Sequence, residues 1–143
     1  MSYARSAAAG AAAATTWAAL EPLDRALLRC DYSDIALLGK AVTGGRAWPI
    51  AGLALHAANG ALLGLAFEGL RRRLRVEPRR LALGLALAEH VGLYPLSALV
   101  DRYHPRRGEP GIPPLLTNGR AFAQATLRHA VFGLVLGRLA APR

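Results

Sequence analysis

Charged and imidazole side chains interrupt two of the long apolar stretches of this chain. Glu89 and His90 lie together in one stretch, and Arg128 and His129 lie together in another. A charge at the centre of a membrane-spanning helix costs at least about 2.5 kcal/mol, so we expect neither Glu89 nor Arg128 to face lipid. The sequence therefore predicts a buried Glu89–Arg128 ion pair. Such a pair either fixes the register of two helices or belongs to a site for a proton, an ion or an anionic head group.

A third apolar stretch carries His56, and Asn59 follows one helical turn later. The commoner role of a single histidine in such a place is a hydrogen bond between helices. Two imidazoles at matching depth, such as His56 and His129, can also pass protons, bind a metal ion with a carboxylate, or ligate a haem iron axially. We predict a polar centre inside the membrane that is formed by six residues. They are His56, Asn59, Glu89, His90, Arg128 and His129.

Long helices are needed to position these side chains, and four segments are suitable. The chain is 53% hydrophobic with a mean hydropathy of +0.24, and residues 49–67 carry no formal charge. About 20 predominantly apolar residues span a bilayer, and a helix that is apolar on every side belongs in a core or a bilayer. A soluble bundle is the alternative, but a chain of 15.1 kDa has little room for several fully buried helices. The predicted spans lie near residues 4–21, 48–70, 80–100 and 120–140.

One short segment of the chain occurs twice. Residues 56–64 and 129–137 both read HAxxGxxLG, and the same displacement of 73 positions places Pro22 on Pro95. Alanine and leucine matches are frequent in so biased a chain, whereas a histidine, a proline and two glycines in register are not. The match predicts an internal duplication. Repeat 1 covers about 7–68 and repeat 2 covers about 80–141.

Two spans in each repeat make both repeats run in the same direction through the membrane. The predicted fold is therefore all-α: a membrane-spanning four-helix bundle, a single integral membrane domain over residues 1–143, built from two parallel two-helix repeats. Small residues at every fourth position let membrane helices approach closely. We predict that the second and fourth spans pack together in this way and that the third span has a similar stripe. The predicted packing glycines are Gly52, Gly60, Gly64, Gly133 and Gly137, with Gly84 and Gly92 on the third span.

Six of the 18 basic residues lie in the short connection between the second and third spans, in a chain of net charge +9. Arginine-rich short loops stay in the cytoplasm, so this connection and both termini are predicted to lie on the cytoplasmic side of a bacterial inner membrane. Arginines there attract anionic lipid head groups at about 1 kcal/mol each. Without interleaved aromatic residues, the connection does not predict a nucleic-acid partner. The predicted head-group contacts are Arg71, Arg72, Arg73, Arg75, Arg79 and Arg80.

The two longer connections contain signals for helix ends. Pro22 is expected to end or kink the first span. Ser33 or Asp34 can cap a short helix that follows directly, and Thr117 or Asn118 can cap the fourth span.

We find no phosphate-binding loop, no dinucleotide fingerprint and no Ser–His–Asp order, so we expect a protein that is not an enzyme. It would be a structural or accessory subunit, or a small transporter-like bundle. The alternative is a membrane redox or metal protein in which His56 and His129 are ligands, with haem b or a metal ion as the cofactor. No cofactor is expected otherwise. A bundle this small has no room for a wide pathway, so transport would need a homo-oligomer or a larger membrane complex.

Three blocks of the chain carry a resemblance. They are HxxNGxxxG at 56–64, YPLxxLVDRYHP at 94–105 and RHAVFGLVLG at 128–137. These blocks resemble those of small, uncharacterised multi-pass membrane proteins from bacteria whose proteomes are rich in Ala, Arg and Gly. The resemblance implies a membrane protein and implies no activity.

Overall fold

The computed structural model describes residues 2–141, and this part of the chain is all-helical. The helices are α1 (Tyr3–Leu28), α2 (Asp34–Val42), α3 (Trp48–Arg73), α4 (Pro78–Leu93), α5 (Ser97–Tyr103) and α6 (Gly119–Ala140). One 3₁₀ turn, Tyr94–Leu96, joins α4 to α5, so that Pro78–Tyr103 forms a single rod.

The caps predicted for α2 and α6 are confirmed. The Ser33 hydroxyl accepts from the Ala36 amide at 3.0 Å, and the Asn118 carbonyl oxygen accepts from the Arg120 and Ala121 amides. Both side chains satisfy amide groups that have no partner within their own helix.

Helix α1 continues through Pro22 to Leu28, where we expected an end or a kink. A proline inside a helix removes one backbone hydrogen bond. Its neighbours Glu21 and Asp24 are buried, and their carboxylates bind Arg128 on α6. The helical backbone on both sides of the proline places both carboxylates on the face of α1 that meets Arg128.

Packing divides the bundle into two pairs of helices. Helix α1 lies along α3, α4 lies along α6, and α1 also packs on α6, which joins the pairs. Helix α2 covers the first turns of α3, where a Cβ on Gly52 would overlap the carbonyl of Ile35. Helices α3 and α4 are neighbours in sequence and touch only sparsely.

Four glycines allow the close contacts within the pairs. Gly60 and Gly64 of α3 pack on the backbone of α1, and Gly133 and Gly137 of α6 pack on the backbone of α4. The contacts are Gly60–Gly10, Gly64–Ser6, Gly133–Leu83 and Gly137–Arg79. If 73 is added to both residue numbers of the first contact, the result is the third contact. The second contact gives the fourth in the same way.

The predicted glycine packing between α3 and α6 is wrong, because Gly60 and Gly64 face α1, Gly133 and Gly137 face α4, and Gly52 faces α2. The predicted stripe on the third span is also wrong. A Cβ on Gly84 or Gly92 would meet no atom within 4 Å. Helix α4 turns Ala82, Ala86 and His90 inward at a spacing of four, so the intervening glycines point away from the bundle.

The outer surface is apolar over much of its area. Ile50, Leu62 and Leu134 are 77%, 63% and 57% exposed. Helix α3 and the rod Pro78–Tyr103 are long and apolar enough to cross a membrane, by length and composition. Only 28% and 17% of their apolar windows are buried inside the protein, so most of this apolar surface faces outward.

Candidate functional site

Arg128 is buried among three carboxylates. Its side chain is 2% exposed, and its Nε lies 2.5 Å from Asp24 Oδ2. Its Nη1 lies 2.5 Å from Asp34 Oδ2 and 3.5 Å from Glu21 Oε1. Nη2 donates to the backbone carbonyl of Tyr32 at 2.9 Å, and the Tyr32 ring lies 5.1 Å from the guanidinium. One cation thus serves three anions, which leaves an excess of negative charge if all three carboxyls are ionised.

Neighbouring groups hold these carboxylates in place. Ser33 Oγ donates to Glu21 at 2.7 Å, and the Asp34 amide donates to Glu21 at 2.8 Å. The Tyr32 hydroxyl donates to Asp34 Oδ1 at 2.6 Å. Burial raises the pKa of the Tyr32 phenol well above its ordinary value, so it stays protonated and remains a donor.

The predicted Glu89–Arg128 pair is wrong. Glu89 Oε2 lies 3.2 Å from His129 Nε2, while Arg128 binds the acids of α1 and α2. Successive helical residues point about 100° apart, as follows from 3.6 residues per turn. Arg128 therefore faces α1, and His129 faces Glu89 on α4.

The Glu89–His129 pair has the geometry to hold a proton between its two side chains. His129 Nδ1 lies 2.7 Å from the carbonyl oxygen of Ala125, which can only accept, so Nδ1 carries a hydrogen. This leaves Nε2, 3.2 Å from Glu89 Oε2, as the nitrogen at which a proton can lie between the two side chains. Both side chains are partly exposed, at 17% and 22%.

His90 lies directly against this pair. Its ring stacks on His129, with centroids 4.7 Å apart. His90 Nε2 lies 2.9 Å from Thr126 Oγ1, which donates its own hydrogen to the Phe122 carbonyl. His90 Nε2 is therefore the donor to Thr126. A second charge on His90 would oppose a charge on His129, so the stack favours a neutral His90.

His56, on α3, lies close to the same group of side chains. The indole of Trp17 contacts both imidazoles edge-on, with centroids 5.0 Å from His56 and 4.9 Å from His129. His56 is 6% exposed and bonds to the backbone of Ala14. Its Nε2 has no hydrogen-bond partner among residues 2–141, and neither has Trp17 Nε1.

A cavity of about 270 Å³ lies between the pairs of helices. Four of the six residues predicted for the polar centre line it, namely His56, Asn59, Glu89 and His129. His90 stacks behind His129, and Arg128 lies behind Asp34, which also lines the cavity. Asn59 is exposed at the rim and does not extend the buried network.

Sequence reasoning missed the acids that hold Arg128, and it missed Trp17 as the side chain between the histidines. It interpreted Asp34 as a helix cap. One signal was present: Glu21 and Asp24 are three residues apart and share a helix face near the C-terminal end of the first predicted span. The sequence position of Gln124, one turn before Arg128, was a similar signal that it belongs to the same cluster. Gln124 is fully buried and donates to Asp24.

The arginine-rich connection divides into two sets. Arg71 and Arg72 donate to the fully buried carboxylate of Glu68, which also accepts from Ser6 on α1. These contacts lock the end of α3 to the start of α1. The remaining arginines of the predicted set are exposed: Arg73, Arg75, Arg79 and Arg80.

Among residues 2–141, no group of three or more His, Cys, Asp or Glu side chains is arranged to hold a metal ion. Comparison with protein-family models, curated proteins and solved structures finds no match for this chain. Function must therefore be argued from the contacts of the polar centre.

Proposed function

We propose that this chain is a small transporter-like membrane protein whose polar centre handles protons. The observation that carries the proposal is the Glu89–His129 pair, whose facing nitrogen and oxygen are 3.2 Å apart and which lines a cavity inside the bundle. Carboxylate–imidazole pairs within membrane-spanning helices are typical of proton relays. The charged and titratable groups that face the pair are His90, His56, Asp34 and, behind it, Arg128.

The four-span bundle of two parallel repeats is part of the same proposal. It is supported by the two sets of glycine contacts, in which both partners move by 73 positions. It is also supported by the apolar outer surfaces of α3 and the rod Pro78–Tyr103. In this arrangement the helices of each pair form one repeat, and α1–α6 packing joins the repeats.

The orientation follows from charge. The exposed arginines Arg73, Arg75, Arg79 and Arg80 would keep their connection and both termini in the cytoplasm of a bacterial cell. They would bind anionic lipid head groups of the inner membrane. The cavity would then lie toward the outer side, and a second copy or a partner protein would complete any wider pathway.

The redox or metal alternative has less support. A ligand nitrogen needs a free lone pair, but both nitrogens of His129 already face other groups, Ala125 O and Glu89. Trp17 packs against both imidazole rings, where a shared ligand would have to lie. A Soret band in the absorbance spectrum of the purified protein would restore the haem interpretation.

Proton flux into liposomes tests the proposal. We expect purified protein to acidify pyranine-loaded liposomes when a potassium gradient with valinomycin makes the interior negative. Glu89→Gln removes the shared proton and should abolish this flux. Glu109→Gln is the matched control, because Glu109 is an ion-paired carboxylate in the outer loop, where Arg106 and Lys40 hold its pKa below the ordinary value. Flux no greater than in empty liposomes, or equal flux in the Glu89→Gln protein, would contradict the proposal.

A further inference from the structure

A second cavity of about 220 Å³ adjoins the first. The two cavities share five lining residues, which form the boundary between them: Tyr32, Leu37, Glu89, Leu93 and His129. The second cavity extends from this boundary to Ser97 and Leu115. Ser97 begins α5, and Leu115 belongs to the outer connection, so the second cavity reaches the outer end of the bundle.

Residues that carry unpartnered polar atoms line both cavities. His56 and Trp17 line the first cavity, and Ser97 lines the second; His56 Nε2, Trp17 Nε1 and Ser97 Oγ have no hydrogen-bond partner among residues 2–141. His56 and Trp17 are only 6% and 5% exposed, so each brings a buried polar atom without a protein partner into the wall of a cavity. Buried polar atoms are almost always hydrogen-bonded, and water or a polar ligand is the remaining source of partners.

The charges around the cavities favour cations. Glu89 and Asp34 line the first cavity, and Glu89 also lines the second. The guanidinium of Arg128 lies between the carboxylates of Asp24, Asp34 and Glu21, so its charge is already balanced. A cleft lined by one sign of charge concentrates ions of the opposite sign.

The path ends at an apolar barrier on the other side. Toward the arginine-rich connection, the bundle is filled by a cluster in which Phe67 and Leu136 are completely buried. Phe132 belongs to both this cluster and the wall of the first cavity. The barrier therefore begins where the first cavity stops.

We infer that the two cavities form one hydrated route for small cations, of the hydronium and ammonium class, which is entered from the outer end and passes the Glu89–His129 pair to reach His56. This inference rests on the proposed role of that pair, since it supplies the access that a proton-handling site needs. The route makes one demand that the proton-handling role does not make. Small hydrophilic cations other than protons must also be able to enter it.

Cysteine labelling tests the route in the full-length protein. Cys30 is the only cysteine, so Cys30→Ala provides a thiol-free background. Ser97→Cys and Asn59→Cys then place one thiol at each end of the route. Leu93→Cys, on the boundary between the cavities, replaces either variant that fails to fold. Right-side-out spheroplasts and inverted vesicles are treated with methanethiosulfonates that carry a trimethylammonium or a sulfonate group.

We expect both thiols to react with the cationic reagent in spheroplasts. Relative to Thr117→Cys in the exposed outer connection, the preference for the cationic over the anionic reagent should be about tenfold greater. Glu89→Gln should reduce this preference. Leu134→Cys is exposed on the apolar side of α6 and should not react, which controls for reagent that crosses the bilayer. Val76→Cys, in the arginine-rich connection, should react only in inverted vesicles.

Three results would overturn the inference. Labelling of Ser97→Cys without Asn59→Cys would mean that the cavities are not continuous. Labelling of Asn59→Cys only in inverted vesicles would place the opening at the other end. Equal rates for the two reagents, after normalisation to Thr117→Cys, would remove the cation preference. None of these results depends on proton flux, so the route can fail while the Glu89–His129 proposal stands, and the reverse.

Discussion

The two pairs of helices, α1–α3 and α4–α6, make glycine contacts that differ by 73 positions, but they divide the chemistry unequally. His56 and His129 lie 73 positions apart, and both rings contact Trp17 edge-on. His129 contacts Ala125 and Glu89 through its two nitrogens, whereas His56 Nε2 is buried without a partner among residues 2–141. The two histidines therefore differ in chemistry because their neighbours differ.

The charged residues show the same contrast. Arg128 lies in the second half, and the position 73 residues earlier is Leu55, which is 39% exposed. Glu89 corresponds in the same way to Thr16, whose hydroxyl donates to a carbonyl of its own helix. The backbone contacts are thus common to both halves, while the polar centre depends on residues that only one half carries.

The largest effect expected from this contrast is at Arg128. Arg128→Leu would leave two buried carboxylates, Glu21 and Asp24, and the partly buried Asp34 without their cation, and should cost about 3–5 kcal/mol of unfolding free energy. Leu55→Ala, at the corresponding exposed position, should change it by no more than about 0.5 kcal/mol. Denaturant unfolding in detergent measures both. Similar losses at the two positions would mean that the buried charge cluster does not distinguish the halves.

The glycine contacts should be equally sensitive in the two halves. A Cβ at Gly60 would lie 2.6 Å from Gly10 O, and one at Gly133 would lie 2.7 Å from Leu83 Cα. Gly60→Ala and Gly133→Ala should therefore each cost about 1–3 kcal/mol.

Gly84→Ala is the control for these variants, since a Cβ there would meet no atom within 4 Å. It should leave the unfolding transition in detergent almost unchanged. If Gly133→Ala destabilises and Gly60→Ala does not, the two pairs of helices are not packed alike and the duplication argument fails.

The smallest effect expected is the difference between the histidines. His129→Phe leaves Glu89 and the Ala125 carbonyl without their donor and should cost about 1–3 kcal/mol. His56→Phe loses one backbone contact but also removes an unpartnered buried nitrogen, so its cost should be smaller. The same unfolding measurement compares the two. A greater loss at position 56 would show that His56 has a strong partner within the cavity.

Several features followed from the sequence before any tertiary contact was known. The Ser33 and Asn118 caps were predictable because a short polar side chain before an apolar run satisfies the free amides of the first turn. That His56, Glu89 and His129 line one cavity was predictable, because polar side chains in apolar helices avoid the apolar exterior. The length and composition of α3 and of the rod after it also indicated helices able to cross a membrane.

The partners of these side chains were decided only by the tertiary structure. A helical sequence specifies the angle at which each side chain projects, but it does not specify which helix lies opposite. Arg128 and Glu89 were a reasonable pair by depth and sign, yet α1 packs on α6 and brings in Asp24, which is 104 residues away in the chain. His129, one residue further on, turns toward Glu89 instead. The helices and the need to bury charge together are local properties of the sequence, whereas the choice of partner depends on how the helices pack.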